Sequence, residues 1–335
     1  MFDAIIIGGG VAGAAIAHEL QKQSRDVLII DAGNDNASSN PKGIIRPFLS
    51  LGNDMMRQFY HRAYDYCMNI LAQYPDVVLQ RGILQLPKDD EAKRFADAPA
   101  IAGFDKNELQ YLTAAQASAL MQTEILSDAL FWPRAAVIDP ALWVHALRGN
   151  TPILATRKIT TVRRDKNFYC RTNNGEEISA RAVYVACGHA MDLIPEIHQQ
   201  IRPRMGQISM VAANQLPSFP HAVSLGHYFI PSVGEKDHIL GATYEHTDVV
   251  AVTDDGHQRN LAALQEMAKL IPALATSQNL TAADCTGRSA IRATTLNHLP
   301  LWGRADNGLF YVTGLGSRGL MSAPYAAQQL VIEAE

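Results

Sequence analysis

The order of apolar and polar positions predicts a mixed α/β chain. Residues 3–7 (DAIII) are an unbroken apolar run, GGGVAG interrupts it, AAIAHELQKQ follows at helical spacing, and 26–31 (DVLIID) is a second apolar run closing on an acid. That is a β–α–β opening. A polar loop covers 32–43. Over 54–73, Met55, Phe59, Ala63, Tyr66 and Ile70 share one face of a long amphipathic helix. GILQL (82–86) reads as a strand and 89–121 as short helices and loops. In DPALWVHALRG (139–149) Asp139 is placed to cap a helix with Pro140 at its first position. Strands dominate 151–187 (PILAT, KITTVRR, NFYCRT, ARAVYVAC), with a turn at Asn173-Asn174-Gly175. Segments 207–213 and 226–244 predict strands of another sheet, and 258–272 an amphipathic helix. The chain closes with a strand (308–314), the turn LGSRG and the helix LMSAPYAAQQLVIE. With no repeat, low-complexity tract or Pro-rich linker, the segments interleave and domain boundaries are soft.

The opening carries the first chemistry. Gly8, Gly10 and Gly13 form G-x-G-x-x-G between a strand and a helix. The first glycine permits a tight turn, the second a close approach of backbone to a pyrophosphate, the third close helix–strand packing. The helix N-terminus at Val11 and Ala12 then offers free N–H groups to phosphates. The motif alone is common and also fits a glycine-rich turn in an unrelated α/β fold. Here Asp31 stands at the end of the second strand, at the distance where an acid meets a ribose hydroxyl.

Composition narrows the class. The 335 residues allow one large or two smaller domains. A net charge of −4 and a pI near 6.3 are unlike a strongly basic nucleic-acid binder, so any RNA contact must come from local patches. Cys67, Cys170, Cys187 and Cys285 are scattered, with no C-x-x-C pair, which points away from a zinc site or a disulfide framework and toward the cytoplasm. The apolar start lacks the basic n-region of a signal peptide, and no uninterrupted apolar run reaches membrane-spanning length. Eleven histidines show no H-E-x-x-H or other paired ligand spacing, so no metal is expected.

A second glycine pattern chooses the cofactor. Gly314-Leu315-Gly316-Ser317-Arg318-Gly319 repeats the spacing after a strand and before a helix, and only 16 residues follow it. No further βαβ unit fits there. The segment reads as a helix N-terminus added to the first domain's sheet, able to stabilise negative charge on a reduced flavin ring; the plainer reading is a simple strand end. VYVACG (183–188) fits a strand ending beside the same nucleotide. One dinucleotide along the domain, with no second unit for NADPH, predicts an FAD oxidase that its substrate reduces and that oxygen or another acceptor reoxidises.

At these residues the chain resembles the glycine oxidase / D-amino-acid oxidase family of FAD enzymes. Within that family it is most similar to the oxidase domain of the bifunctional tRNA 5-methylaminomethyl-2-thiouridine biosynthesis proteins. The resemblance covers nearly the whole chain. It is carried most specifically by ASSNPKGIIRPFLS (37–50), the NHLP segment within IRATTLNHLPLWG (291–303) and GLGSRGLMSAP (314–324), and more broadly by IIGGGVAGAAIA (6–17), GILQL, VACGHAMDL (185–193), MGQIS (205–209), GHYFIP (226–231) and LGATYEHT (240–247).

The resemblance implies a Rossmann-type FAD-binding domain (1–74, 134–200 and 286–335) and an antiparallel-sheet substrate domain (75–133 and 201–285). It implies non-covalent FAD held by Gly8, Gly10, Val11, Ala12, Gly13, Asp31 and Ala32. The loop Ser38, Ser39, Asn40, Lys42, Gly43 and Ile44 joins them, with the backbone of Ile159 near adenine, then Ala186 and Gly188, and Gly314, Gly316, Ser317, Arg318, Gly319 and Leu320. It implies Arg292 and Tyr228 as the pair that holds a substrate carboxylate. The reaction implied is oxidation of the carboxymethylaminomethyl group on a wobble uridine in tRNA. Hydride leaves the glycine-like methylene for FAD, the imine hydrolyses, glyoxylate departs and an aminomethyl uridine remains. A guanidinium offers a planar bidentate fork for such a carboxylate and aims the C–H bond.

Departures keep alternatives open. This chain starts at the flavin strand, so methylation of the product would fall to a separate methyltransferase or not occur. Arg46 stands where relatives carry a tyrosine or small residue, which bears on the substrate. An oxidase or dehydrogenase of glycine, sarcosine or another free secondary amine is the second reading, and a non-catalytic flavin scaffold the third. The basic stretch Arg157, Lys158, Arg163, Arg164, Lys166 and Arg171 reads as a solvated hairpin face, or else as a tRNA phosphate contact. Arg202 and Arg204 could guide an anionic substrate. His298, Cys187, Trp132, Trp143 and Trp302 read as structural.

Overall fold

The computed structural model describes residues 1–33, 36–49, 54–88, 92–233 and 236–334. Outside them lie residues 34 and 35 of the expected loop 32–43, Ser50 of the 37–50 block, 89–91 of the 89–121 stretch, and 234 and 235 of the 226–244 segment.

Two sheets organise the chain. The first runs Leu301–Arg304, Phe310–Thr313, Glu177–Val185, Phe2–Ile7, Val27–Ile30, Ile153–Leu154. From Phe310–Thr313 onward every neighbour pairs in parallel. Phe2–Ile7 is apolar without alternation because both its faces are covered. Ala4 and Ile6 pack under the helices Val11–Lys22 and Gly319–Glu333, and Ile5 and Ile7 pack with Phe168, Cys170 and Ile194 on the other side. Gly13 makes the helix side possible, since a Cβ there would lie 1.9 Å from the Gly8 carbonyl oxygen.

The second sheet runs Cys285–Thr294, Arg202–Val211, His238–Gly241, His227–Ile230, Ala222–Leu225, Val78–Gln85, Ala129–Ile138, Gly43–Ile45. It is antiparallel except where Ala222–Leu225 meets Val78–Gln85 in parallel. The expected boundaries at 133/134 and 285/286 cut through strands of this sheet. Ladder hydrogen bonds place 134–138, 286–294 and also 43–45 in it. Ala129–Ile138 has no counterpart in the expected elements. Pro133 in its middle argues against an inner strand, and the ladder accommodates it with a register shift between Arg81 and Ile83, opposite Ala136 and Trp132.

The helix Asp54–Leu71 forms as expected but is turned. Its buried residues are Tyr60, Ala63, Tyr64, Cys67, Met68, Ile70 and Leu71, which include Ala63 and Ile70 of the expected face, whereas Met55, in the first turn, is 69 % exposed and Phe59 and Tyr66 are half-buried. The tyrosines tolerate burial because their hydroxyls can reach partners; Tyr60 donates to the His298 carbonyl at 2.6 Å. Among the described residues no helix is long and apolar enough to cross a membrane.

Pro324 lies inside the closing helix and lacks the N–H that would bond the Leu320 carbonyl. The buried Trp143 indole fills that vacancy, donating Nε1–H to Leu320 O at 3.0 Å. Its helix, Pro140–Arg148, starts where Asp139 accepts from the amides of Ala141 and Leu142, as the sequence predicts. Trp143→Phe removes this donor and some ring volume, and is expected to cost about 1–3 kcal/mol in denaturant unfolding. The Cys67 thiol also donates to Leu320 O, at 3.7 Å, and an unchanged midpoint would show that this weaker donor suffices.

Candidate functional site

Four of the five parallel strands of the first sheet hand the chain to an expected site segment at their carboxyl ends, where open α/β sheets bind ligands. Phe2–Ile7 leads to Gly8–Gly13, Val27–Ile30 to Asp31 and Ala32, Glu177–Val185 to Ala186 and Gly188, and Phe310–Thr313 to Gly314–Leu320. The Thr313 hydroxyl ties two of these turns, donating to Gly188 O at 2.6 Å. Helix Val11–Lys22 starts from Gly10, which has no side chain to cap it; Ser38 Oγ accepts from the Val11 amide at 3.0 Å and so docks the 36–49 loop there. Asp31 accepts from the Gly9 amide at 2.6 Å and the Gly33 amide at 2.8 Å, and so braces the glycine turn. Ile159 is buried beside this end, since the Arg157 amide donates to Asp31 O at 2.8 Å.

Within the 37–50 loop, Ala37–Ser39 is a short 3₁₀ turn, and Asn40 and the Asn36 carbonyl both accept from Arg288, a residue the sequence reading missed. Gly43 packs on Leu320 so closely that a Cβ would lie 2.3 Å from its methyl, while Ile44 pairs with Val137 in the second sheet. The Lys42 side chain turns the other way. Its ammonium is buried and donates to Pro231 O and Asp237 O, both at 3.0 Å, and burial with help from Lys236 brings its pKa down to about 8. Only its backbone is left to meet a ligand in the crevice.

These residues fit a dinucleotide. The glycine turn and helix start offer amides without side chains, and Gly188 and Gly316, both at positive φ, front space that a Cβ would enter without touching a neighbour closer than 3.9 Å.

The second sheet supplies the opposite wall. Residues in register share a face, and alternate residues along a strand share it too. One such row is Gln85, Ser224, Tyr228, Gly241, Ile208, Arg288. Arg292 lies on the same face, four residues after Arg288. Its guanidinium donates to Thr243 O at 3.1 Å and lies over Gly206, where a Cβ would be 2.1 Å from Nη1. Burial lowers the Arg292 pKa, countered by the Tyr228 and Tyr244 phenols; burial raises the Tyr228 phenol, countered by Arg292. The exposed Tyr244 ring has both Arg292 and Arg204 guanidinium carbons at 6.0 Å. A cleft is lined by Tyr60, Tyr244, Thr294, His298, Gly314 and Arg318, and Tyr244 joins the last glycine turn to the neighbourhood of Arg292, whose guanidinium lies over its ring.

That space is rich in cations. Arg318 stacks on Phe48 at 4.3 Å and bonds the Tyr60 hydroxyl. Arg46 donates to Gln85 Oε1 at 2.6 Å and lies 5.4 Å over the Trp132 ring. Among the described residues neither Arg46, Arg292 nor Arg318 forms a salt bridge with an Asp or Glu. Gly206, Thr243, Tyr244, Gln85 and Ser224 were absent from the expected site. Only the glycine in MGQIS hinted that a large side chain needed room there.

The remaining candidates fall as expected or aside. His298 gives its carbonyl to Tyr60. The Cys187 thiol donates to Ile7 O and burial pushes its pKa up to about 12. Trp132 and Trp143 are fully buried, and Trp302 stacks on Phe59. The basic run forms the hairpin Ile159–Arg164 and Phe168–Thr172, with Arg163 over Tyr169 and Arg164 over Phe168.

Residues 3–331 match the DAO family of FAD-dependent oxidoreductases, and the chain belongs to that family. It is an FAD-dependent oxidoreductase. Among curated proteins it is 35 % identical over 332 residues to the tRNA 5-methylaminomethyl-2-thiouridine biosynthesis bifunctional protein of Caulobacter vibrioides, covering 97 % of this chain and 53 % of that protein. The protein of the same name from Idiomarina loihiensis is 28 % identical, over 99 % of this chain and 55 % of its own length. The chain thus spans about half the length of these relatives. Its fold is shared by glycine oxidase from Geobacillus kaustophilus (TM-score 0.79, 23 % identity, 99 % and 93 % of the two chains) and iminodiacetate oxidase from Chelativorans (0.76, 22 %, 98 % and 95 %).

Proposed function

We propose that this chain oxidises an N-carboxymethyl amine, with the carboxymethylaminomethyl group of a tRNA wobble uridine as its substrate. One observation carries the reading: a half-buried guanidinium, Arg292, has no acidic partner among the described residues, stands with Tyr228, and lies over Tyr244, which lines the cleft of the last glycine turn. A desolvated cation of this kind calls for an anion, and the named activity of the 35 %-identical relative supports tRNA as its bearer.

Gly8–Gly13, Asp31, the 38–44 loop, Gly188 and Gly314–Leu320 would hold FAD without a covalent link; the protonated Cys187 thiol is poorly suited to form one. When bound, FAD supplies the acceptor for the hydride, which carries the electron pair lost by the methylene. Arg292 and Tyr228 fix the carboxylate, which orients the methylene C–H bond. The protonated phenol of Tyr228, its pKa raised by burial, donates a hydrogen bond rather than competing as an anion. Loss of hydride leaves an iminium, the protonated imine, between the substrate nitrogen and the former methylene carbon. Water adds there, the C–N bond breaks, and glyoxylate and a primary amine result. Oxygen or another acceptor then takes the electrons.

A second reading, oxidation of free glycine, sarcosine or a similar amine, is favoured by the net charge of −4 and needs the same residues. Anaerobic mixing of the FAD-loaded protein with modified tRNA, and separately with glycine and sarcosine, decides between them. Flavin bleaching by the tRNA, at concentrations where free amines leave it oxidised, is expected. Bleaching by a free amine and not by tRNA would replace the first reading with the second, and no bleaching by any would leave the scaffold.

A further inference from the structure

Arg46 is the cation this account has not used. It leaves the strand Gly43–Ile45 and reaches across to Gln85 at the end of Val78–Gln85. Gln85 Oε1 also accepts from the Trp132 indole at 3.1 Å, so the amide oxygen is saturated and its orientation set. Trp132, fully buried, lies under the guanidinium. Arg46 is therefore held on one side by a neutral acceptor and an aromatic face, with no acid paired to it among the described residues. The nearest charge that acts on it is another cation, Arg318, which together with burial lowers its pKa to about 10. A guanidinium has five N–H donors, and the one bond that Arg46 makes leaves most of them without a protein partner.

A second observation points to the same place. Ser224 is in register with Gln85 on one side and Tyr228 on the other, on the same sheet face. Its buried hydroxyl has no hydrogen-bond partner. Buried polar groups are nearly always paired, and an orphan in register with Gln85, the acceptor that holds Arg46, leaves room for a group that arrives with the ligand. Arg46, Gln85 and Ser224 thus continue, away from Arg292, the polar row that starts at Tyr228.

We propose that Arg46 and Ser224 form a second oxyanion subsite in this cleft, which binds an anionic group on the far side of the substrate's amine from the carboxylate held by Arg292. The substrate class is then an amine with two anionic ends. The second end is a carboxylate in a small imino-diacid, or a phosphate in a nucleotide. This rests on the assignment of Arg292 as the first anchor.

The test uses unreactive ligands, so it does not depend on turnover. Diglycolate carries two carboxylates about an ether oxygen, methoxyacetate one, and phosphoglycolate a carboxylate and a phosphate. Their dissociation constants are read from perturbation of the bound flavin's absorbance in wild type, Arg46→Met, Arg46→Lys and Ser224→Ala. In wild type at least one two-anion ligand is expected to bind ten-fold or more tighter than methoxyacetate. Arg46→Met is expected to remove that preference, Arg46→Lys to restore part of it, and Ser224→Ala to reduce it several-fold. A preference for diglycolate assigns the subsite to a carboxylate, one for phosphoglycolate to a phosphate. Equal affinities in wild type, or a preference that survives Arg46→Met, would overturn the proposal. Failure of the Arg292 assignment looks different: Arg292→Ala would then leave methoxyacetate binding unchanged.

Discussion

Replacing Arg292 with alanine is expected to lower kcat/KM for any carboxylate-bearing amine by roughly 10²–10⁴-fold while FAD stays bound. The guanidinium can give a carboxylate two charge-assisted hydrogen bonds, each worth about 1.5–3 kcal/mol, and every 1.4 kcal/mol or so is tenfold in rate. The loss should fall on kcat as well as KM, because the same bonds aim the methylene. Cofactor retention follows from position. Arg292 bonds the carbonyl of Thr243, just past the second-sheet strand His238–Gly241, and lies over Gly206 in that sheet, while the glycine turns proposed to hold FAD end strands of the first. Steady-state kinetics and flavin absorbance of the purified variant check both halves. Normal turnover would remove the carboxylate assignment, and loss of flavin would mean that Arg292 supports the fold.

Gly206→Ala should produce nearly the same defect without touching a functional side chain. The added methyl carbon would lie 2.1–2.3 Å from Nη1, Cζ and Nη2 of Arg292, well inside contact distance. The atoms it strikes are the far end of a flexible side chain, so the guanidinium swings away and the backbone ladder with Ala290 need not shift. Fold and FAD content should therefore survive. A displacement of about 1 Å at a positioning group can cost on the order of 100-fold, and that loss in kcat/KM is expected here. Groups that act as one unit are non-additive, so Gly206→Ala placed on Arg292→Ala should add little. A full second loss in the double variant would show that Gly206 matters for another reason.

The two predictions also show what the sequence made legible. Gly8, Gly10, Gly13 and Asp31 lie within 24 residues and encode their geometry locally, as strand, turn and helix. The turn at 314–319 repeats that local code. Sheet pairing is not local. Arg292, Gly206 and Thr243 meet because Cys285–Thr294, Arg202–Val211 and the segment after His238–Gly241 are neighbours in space, and no spacing along the chain announces it. Pro133 hid the strand Ala129–Ile138, because a bulge that absorbs a proline is set by the partner strand. The helix 54–71 was periodic enough to find but not to orient. Its tyrosines look amphipathic in sequence, and only a partner such as the His298 carbonyl decides which of them is buried. Lys42 stood in a cofactor loop by resemblance, yet its side chain serves the carbonyls of Pro231 and Asp237, just beyond the strands His227–Ile230 and His238–Gly241.

The central claim is that this chain oxidatively removes a carboxymethyl group from an amine in tRNA. A single anaerobic turnover tests it most directly, with FAD-loaded protein in excess over an anticodon stem-loop bearing carboxymethylaminomethyl uridine. The account predicts one glyoxylate released and one flavin reduced per stem-loop, with the nucleoside converted to aminomethyl uridine. An unaltered nucleoside beside a flavin that remains oxidised, in a protein that sarcosine or glycine does reduce, would contradict it.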